Sequence, residues 1–301
     1  MRSDIHHLPA KQQGELERIT CVLMEEFARS IERATMAWKR NGKILKIILF
    51  GSYARGDWVD EPENGYQSDF DLLIIVSHED LTDIADHWYV AEDRILRDPA
   101  IGRTVNIIVH TMQEVNQALR RGEYFWVDII RDGIALYELP NHPFAAPKPM
   151  TANEAFEMAT EYFSVHLGKV DAAIEGAEFY ASRGHNNDAA FTLHQAVERA
   201  YGCFLLTHTF YFPRSHNIKF LRSLAEDKEE RLIAAWPRDN KIDRRRFELL
   251  KRAYVEARYA PSYEISAEDL DALAEAASRL RNIVETLCAE RIDRLRSEAE
   301  G

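Results

Sequence analysis

Two short aliphatic runs, with what closes the first and opens the second, constrain this chain more than any other feature. The first, KILKIILF at residues 43–50, is of strand length and rich in isoleucine, and it runs directly into Gly51-Ser52-Tyr53-Ala54-Arg55-Gly56. A buried strand ending in Gly-Ser ahead of residues able to start a helix presents unpaired backbone N–H groups and a hydroxyl, the local chemistry of an anion site. Glycine lets an anion approach the backbone, and Arg55, one turn on, adds a planar charged fork suited to phosphate. The second run, residues 70–76, follows Asp69 and contains Asp71. Alternation along a strand aims these two carboxylates to one side while Phe70 turns to the other. Like charges held this close repel unless a cation lies between them, and carboxylates are hard oxygen ligands. The pair points either to Mg²⁺ or another hard divalent ion or to a merely solvated acidic pair at a strand start, the second being favoured while the pair is taken alone.

Taken together, GSYARGD followed by SDFDLLIIV resembles the signature of the DNA polymerase beta-type nucleotidyltransferases, in particular their minimal, kanamycin-nucleotidyltransferase-like branch. The resemblance implies a small mixed-sheet α/β domain in which Gly51 and Ser52 hold nucleotide phosphates with help from Arg55. It also implies that Asp69 and Asp71 bind Mg²⁺ or Mn²⁺, and that a nucleoside monophosphate moves from an NTP, ATP first among them, to a hydroxyl on a small molecule or a protein. Two departures stand out. Residues 57–67 (DWVDEPENGYQ) lengthen the connection between turn and aspartates, as a flap that could shape the acceptor site or as an indifferent surface loop. On the third strand, expected at 103–110, family members commonly carry another carboxylate, and here the matching position is Asn106. An amide can bind metal through its oxygen but cannot accept a proton near neutral pH. Either His110, Glu123 or Asp128 takes that role, or the chain is a catalytically reduced nucleotide-binding or antitoxin-like module.

The flanking periodicity completes an α/β unit, with apolar spacing predicting helices at 15–39 and about 80–97. Prolines in ELPNHPFAAPKP predict a linker, with a nucleotidyltransferase domain at 1–142, the linker at 143–150 and a second domain at 151–301. After Thr151 the chain reads as helices at about 152–181, 187–209, 216–235, 243–257 and 266–296, joined by short loops and hence an antiparallel bundle. The stretches AFTLHQAVERAYGCFLLTHTFYFPRSHNIKFLRSLAE and RRFELLKRAYVEARYAPSYEISAEDLDAL resemble a HEPN domain, through spaced residues such as His194, Glu198, His216, Arg258 and Tyr259. Many HEPN domains are ribonucleases with an Arg and a His four to six residues apart; no such spacing occurs in this bundle, which disfavours RNA cleavage. His194 and Glu198 share a helix face at i,i+4, where a buried hydrogen-bonded pair is favoured over a metal or proton site.

The 301 residues suit two domains, and the net charge of -12 speaks against a general nucleic-acid coat, although residues 238–258 hold eight basic side chains against four acidic ones. That segment is either a basic wall for phosphates or a solvated helix face of i,i+4 ion pairs. No apolar stretch approaches the roughly 18 residues that cross a bilayer, the start lacks an apolar leader, and three cysteines without a CxxC pair give neither a disulfide framework nor a cysteine-rich zinc site. The expectation is a cytoplasmic protein without membrane or nucleic-acid partners, with a homodimer through the bundle as one arrangement.

Overall fold

The computed structural model describes residues 1–61 and 66–301. Helix α1 (Ala10–Ile31) and the single turn α2 (Ala37–Arg40) lead into β1 (Ile44–Phe50), which passes through Gly51 into the short α3 (Ser52–Arg55). A two-residue ladder, β2 (Asp60–Glu61) with β3 (Tyr66–Gln67), precedes β4 (Phe70–Val76). Then come a 3₁₀ turn at Glu79–Thr82, α4 (Ile84–His87), α5 (Tyr89–Leu96), β5 (Val105–Thr111), α6 (Met112–Arg121), α7 (Tyr124–Asp132) and β6 (Ile134–Glu138).

Four of these strands form one sheet in the order β5-β4-β1-β6, parallel between β4 and β5 and antiparallel elsewhere, the mixed sheet expected. Every residue of β1 and β4 is buried, which explains why both read as continuous apolar runs rather than alternating ones. One face packs Ile47, Leu49, Leu72 and Ile74 against Leu16, Ile19, Leu23 and Phe27 of α1. On the other face the ring of Phe50 meets Phe125 of α7 edge-on at 5.7 Å.

From Met150 to Gly301 the chain is a second compact unit, built of α8 (Ala152–Ser182), α9 (Asn186–Thr209), α10 (Ile218–Glu226), α11 (Lys241–Tyr259) and α12 (Ala267–Glu300). Helix α9 is its axis, burying Leu193, Val197, Tyr201 and Phe204. The basic segment 238–258 is laced with ion pairs. Arg252 pairs with Glu256 and Lys251 with Glu248 along α11, while Arg245 and Arg246 reach Asp269 of α12.

Several elements depart from the periodicity, each for a local reason. Helix α1 ends at Ile31, where exposed Glu32 and Arg33 follow, and Met36 is exposed. The helix expected over 80–97 breaks: Asp83 accepts the N–H of Asp86 as an N-cap, and buried Trp88 donates its indole N–H to the Leu81 carbonyl at 2.8 Å. Beyond α10, Glu229 accepts from the N–H of Arg231 and starts a 3₁₀ turn at Glu230–Ala235 where a continuous helix to 235 is expected. The proline-rich stretch holds no regular element. Its backbone is fastened to the first unit, Leu139 N–H to the Leu45 carbonyl and Lys148 N–H to the Leu119 carbonyl. Part of the 57–67 insertion, residues 62–65, lies outside the described residues.

Candidate active site

Asp69 precedes β4 and Asp71 lies on it; Asn106 is the residue beside Asp71 on the neighbouring parallel strand β5. That register puts the three side chains together. The Asn106 amide donates to Asp71 Oδ1 at 3.0 Å and to Asp69 Oδ2 at 3.4 Å, and the three residues are only 7%, 5% and 6% exposed. Two buried carboxylates thus share one NH₂ group. An amide's oxygen and nitrogen exchange places on a half-turn about its terminal bond, so the same geometry can present three oxygen ligands from two strands. This donor set fits a hard divalent ion, with remaining positions left for phosphate oxygens or water. Among the described residues no third His, Cys, Asp or Glu joins the pair.

On the other side of β4, Asp71 is in register with Phe50, the last residue of β1, so the Gly51 turn begins beside it. Gly51 has φ +73°, and a Cβ there would stand 2.6 Å from Asp71 Oδ2. Both the backbone and the carboxylate therefore demand glycine. The N–H groups of Ala54 and Arg55 turn back to the Gly51 carbonyl, so those of Ser52 and Tyr53 stand at the head of the turn, with the Ser52 hydroxyl beside them. Arg55, one turn on, is ion-paired with Asp57 at 3.1 Å.

Beneath the turn lies a polar anchor that the sequence reading missed. The Arg103 guanidinium donates to the Tyr53 hydroxyl and, at 2.7 Å, to Glu15 of α1; it covers the rings of Tyr53 and Phe70 at 5.2 and 5.0 Å and lies 3.6 Å from Asp60. Arg103 and Glu15 side chains are 1% and 2% exposed. One buried cation thus touches the residue after Ser52, the residue between the aspartates and the base of the insertion. A signal was present: Gln12, Glu15 and Glu26 recur on the buried face of α1, where a helix with only apolar partners would carry none.

The alternative bases do not reach the aspartates' end of the sheet in the way the strand face suggests. His110 lies four residues beyond Asn106 on β5, roughly 13 Å at a strand's rise, and is held by Glu114 at 3.3 Å and by the Trp126 ring. Glu123 is bound by Arg121 and Asp128 by Arg131.

In the bundle, His194 and Glu198 are not the hydrogen-bonded pair expected. Glu198 is bonded to His216 at 3.0 Å, while His194 is fully buried and its ring nitrogens have no hydrogen-bond partner among the described residues. Burial, reinforced by the nearby His216 and Arg258, pushes the pKa of His194 down to about 4. Both imidazoles lie against Tyr254, at 5.2 and 4.4 Å, and Arg258 covers its ring at 4.7 Å.

Residues 31–120 match the nucleotidyltransferase domain family and residues 165–287 the HEPN domain family. A protein of Methanocaldococcus jannaschii that carries the provisional name protein adenylyltransferase is 34% identical over 99 residues, which span 84% of that protein and 33% of this chain. The glycine turn, both aspartates and Asn106 fall inside the first match and most of α8 to α12 inside the second. The chain therefore belongs to the nucleotidyltransferase-domain family, and its second half is a HEPN domain.

Proposed function

We propose that this chain transfers a nucleoside monophosphate, AMP first among them, from an NTP to a hydroxyl acceptor in a reaction dependent on Mg²⁺ or Mn²⁺. The observation that carries this reading is the buried Asp69, Asp71 and Asn106 cluster with the Gly51 turn against it. The acceptor oxygen forms a bond to the α-phosphorus, the bond from that phosphorus to the bridging oxygen of the β-phosphate breaks, and pyrophosphate leaves. Ser52 and the N–H groups of the turn bind phosphate oxygens, and Arg55 exchanges its pairing with Asp57 for the same phosphates. A divalent ion, when bound, neutralises charge on the triphosphate, with Asp69, Asp71 and the Asn106 oxygen as its holders. The hydroxyl proton leaves to an aspartate or to solvent, since the Asn106 amide has no basic site at neutral pH. The name of the archaeal relative supports a protein as the acceptor. A cytoplasmic homodimer through the bundle belongs to the same reading, supported by exposed Val165 and Phe179 on α8.

Labelled ATP, Mg²⁺ and cell extract are expected to give a labelled product and pyrophosphate, both lost in Asp71→Asn. No labelling and no pyrophosphate with any NTP removes the enzyme reading. A second reading, a nucleotide-binding or antitoxin-like module of reduced activity, is favoured by the amide bridging the two aspartates. It predicts thermal stabilisation by NTP without turnover, and activity appearing in Asn106→Asp.

A further inference from the structure

The faces of β5 do different things. Asn106 faces the aspartates, so its neighbours Val105 and Ile107 point to the opposite side of the sheet, and there they line a cavity of about 350 Å³. Ile95, Leu96 and Ile101 complete its apolar wall, and Glu92 of α5 supplies a carboxyl. That volume lies in the range of small-molecule sites. Among the described residues Glu92 has no hydrogen-bond or ion-pair partner, and burial alone raises its pKa. The other charged group of the lining, Arg103, is committed to Glu15, Tyr53 and Asp60 and does not turn to Glu92. A half-buried carboxyl without a protein partner, beside Ile95, Ile101 and Ile107, is partly stripped of water, a cost that a cation seated in the cavity would offset.

We propose that this cavity binds a small aliphatic monoamine, its ammonium paired with the Glu92 carboxylate and its hydrocarbon chain packed on Ile95, Ile101 and Ile107. A single acid in the lining calls for a single positive charge, and the committed guanidinium of Arg103 beside it repels a second. Among the described residues the other cation at the lining, Lys11 beside Gly102, is shared with Glu15 at 3.9 Å, so an anionic ligand meets Glu92 with little positive charge to offset it. The site is separate from the nucleotide site and stands whether or not the chain transfers nucleotides. Because Val105, Asn106 and Ile107 are consecutive on one strand, an occupant on one face packs against the backbone that positions the amide on the other.

The test uses the full chain at pH 7.5 and n-pentylamine hydrochloride as probe, with n-pentanol as its uncharged counterpart and NaCl matching ionic strength. Binding is read by saturation-transfer NMR and by thermal shift. The amine is expected to bind saturably and about tenfold or more tightly than the alcohol, with that preference abolished in Glu92→Gln. Glu92→Gln removes a desolvated acid and is expected to melt no lower than the wild type, so it reports on binding. Leu96→Trp, an exposed position at the cavity wall, is expected to weaken amine and alcohol alike. Equal affinity for amine and alcohol, wild-type amine affinity in Glu92→Gln, or no saturable binding overturns the proposal.

Discussion

At Gly51 one hydrogen atom is the difference between a turn that fits and one that does not. Alanine there meets an adverse φ of +73° and the Asp71 carboxylate at 2.6 Å, so either the turn or the aspartate moves. Gly51→Ala is expected to cost about 1–3 kcal/mol of stability and to reduce the thermal shift given by ATP with Mg²⁺ well below wild type. An unchanged shift would show that the turn does not serve the nucleotide. His194 makes a different prediction, with the sign set by its depressed pKa of about 4. The unfolded imidazole, near 6.5, takes a proton that the folded one refuses, so its contribution is complete above 6.5 and is lost as pH falls towards 4, by about 3 kcal/mol in all. His194→Leu should flatten the fall in melting temperature across that window; an identical slope in the variant would refute the assignment.

At the scale of elements, the chain shows what a sequence can display. The strands bearing the aspartates and the glycine turn were legible because β1 and β4 are covered on both faces and so carry nearly unbroken apolar runs, interrupted by Lys46 in β1 and Asp71 in β4. The third strand was legible enough to place Asn106, since parallel pairing sets it beside Asp71. Helices α6 and α7 and strand β6 were not anticipated, though Thr111 and Glu114 form a complete capping box and Gly122 ends α6 with a positive φ. Short elements advertise themselves by caps more than by periodicity. The Arg103 anchor was illegible for a stronger reason: it joins Glu15, Tyr53, Asp60 and Phe70, which are distant in sequence, and only folding brings them to one guanidinium. Breaking the buried pair on one side leaves a charge without its partner. Arg103→Leu is expected to destabilise by about 3–5 kcal/mol, and Arg103→Leu with Glu15→Leu by clearly less. Denaturant titration of the two singles and the double measures the coupling, and additive losses would show that the pair acts as two independent groups. In the nucleotidyl-transfer reading Arg103→Lys, which keeps the charge without the fork, should raise KM for the NTP more than it lowers kcat, because Arg103 positions the turn and does not touch the reacting atoms.

At the scale of the whole molecule, the two units carry different chemistry and should answer to different conditions. Gly51, Ser52, Asp69, Asp71 and Asn106 all come from the first unit, so a ligand that they bind stabilises that unit by mass action. The second holds His194 and His208, both pushed down to about 4 chiefly by burial, so acid acts on it through groups that must charge on unfolding. Calorimetry on the full chain is therefore expected to resolve two transitions. ATP with Mg²⁺ should raise one of them by several degrees at saturating ligand, and a change from pH 7.5 to 5 should lower the other more steeply. Replacing both histidines with leucine should remove the extra acid sensitivity from the second transition while leaving the ATP-dependent shift of the first intact. A single transition that moves with ligand and with pH alike would mean that the units melt as one cooperative body, and that nucleotide binding in one half stabilises the helices of the other.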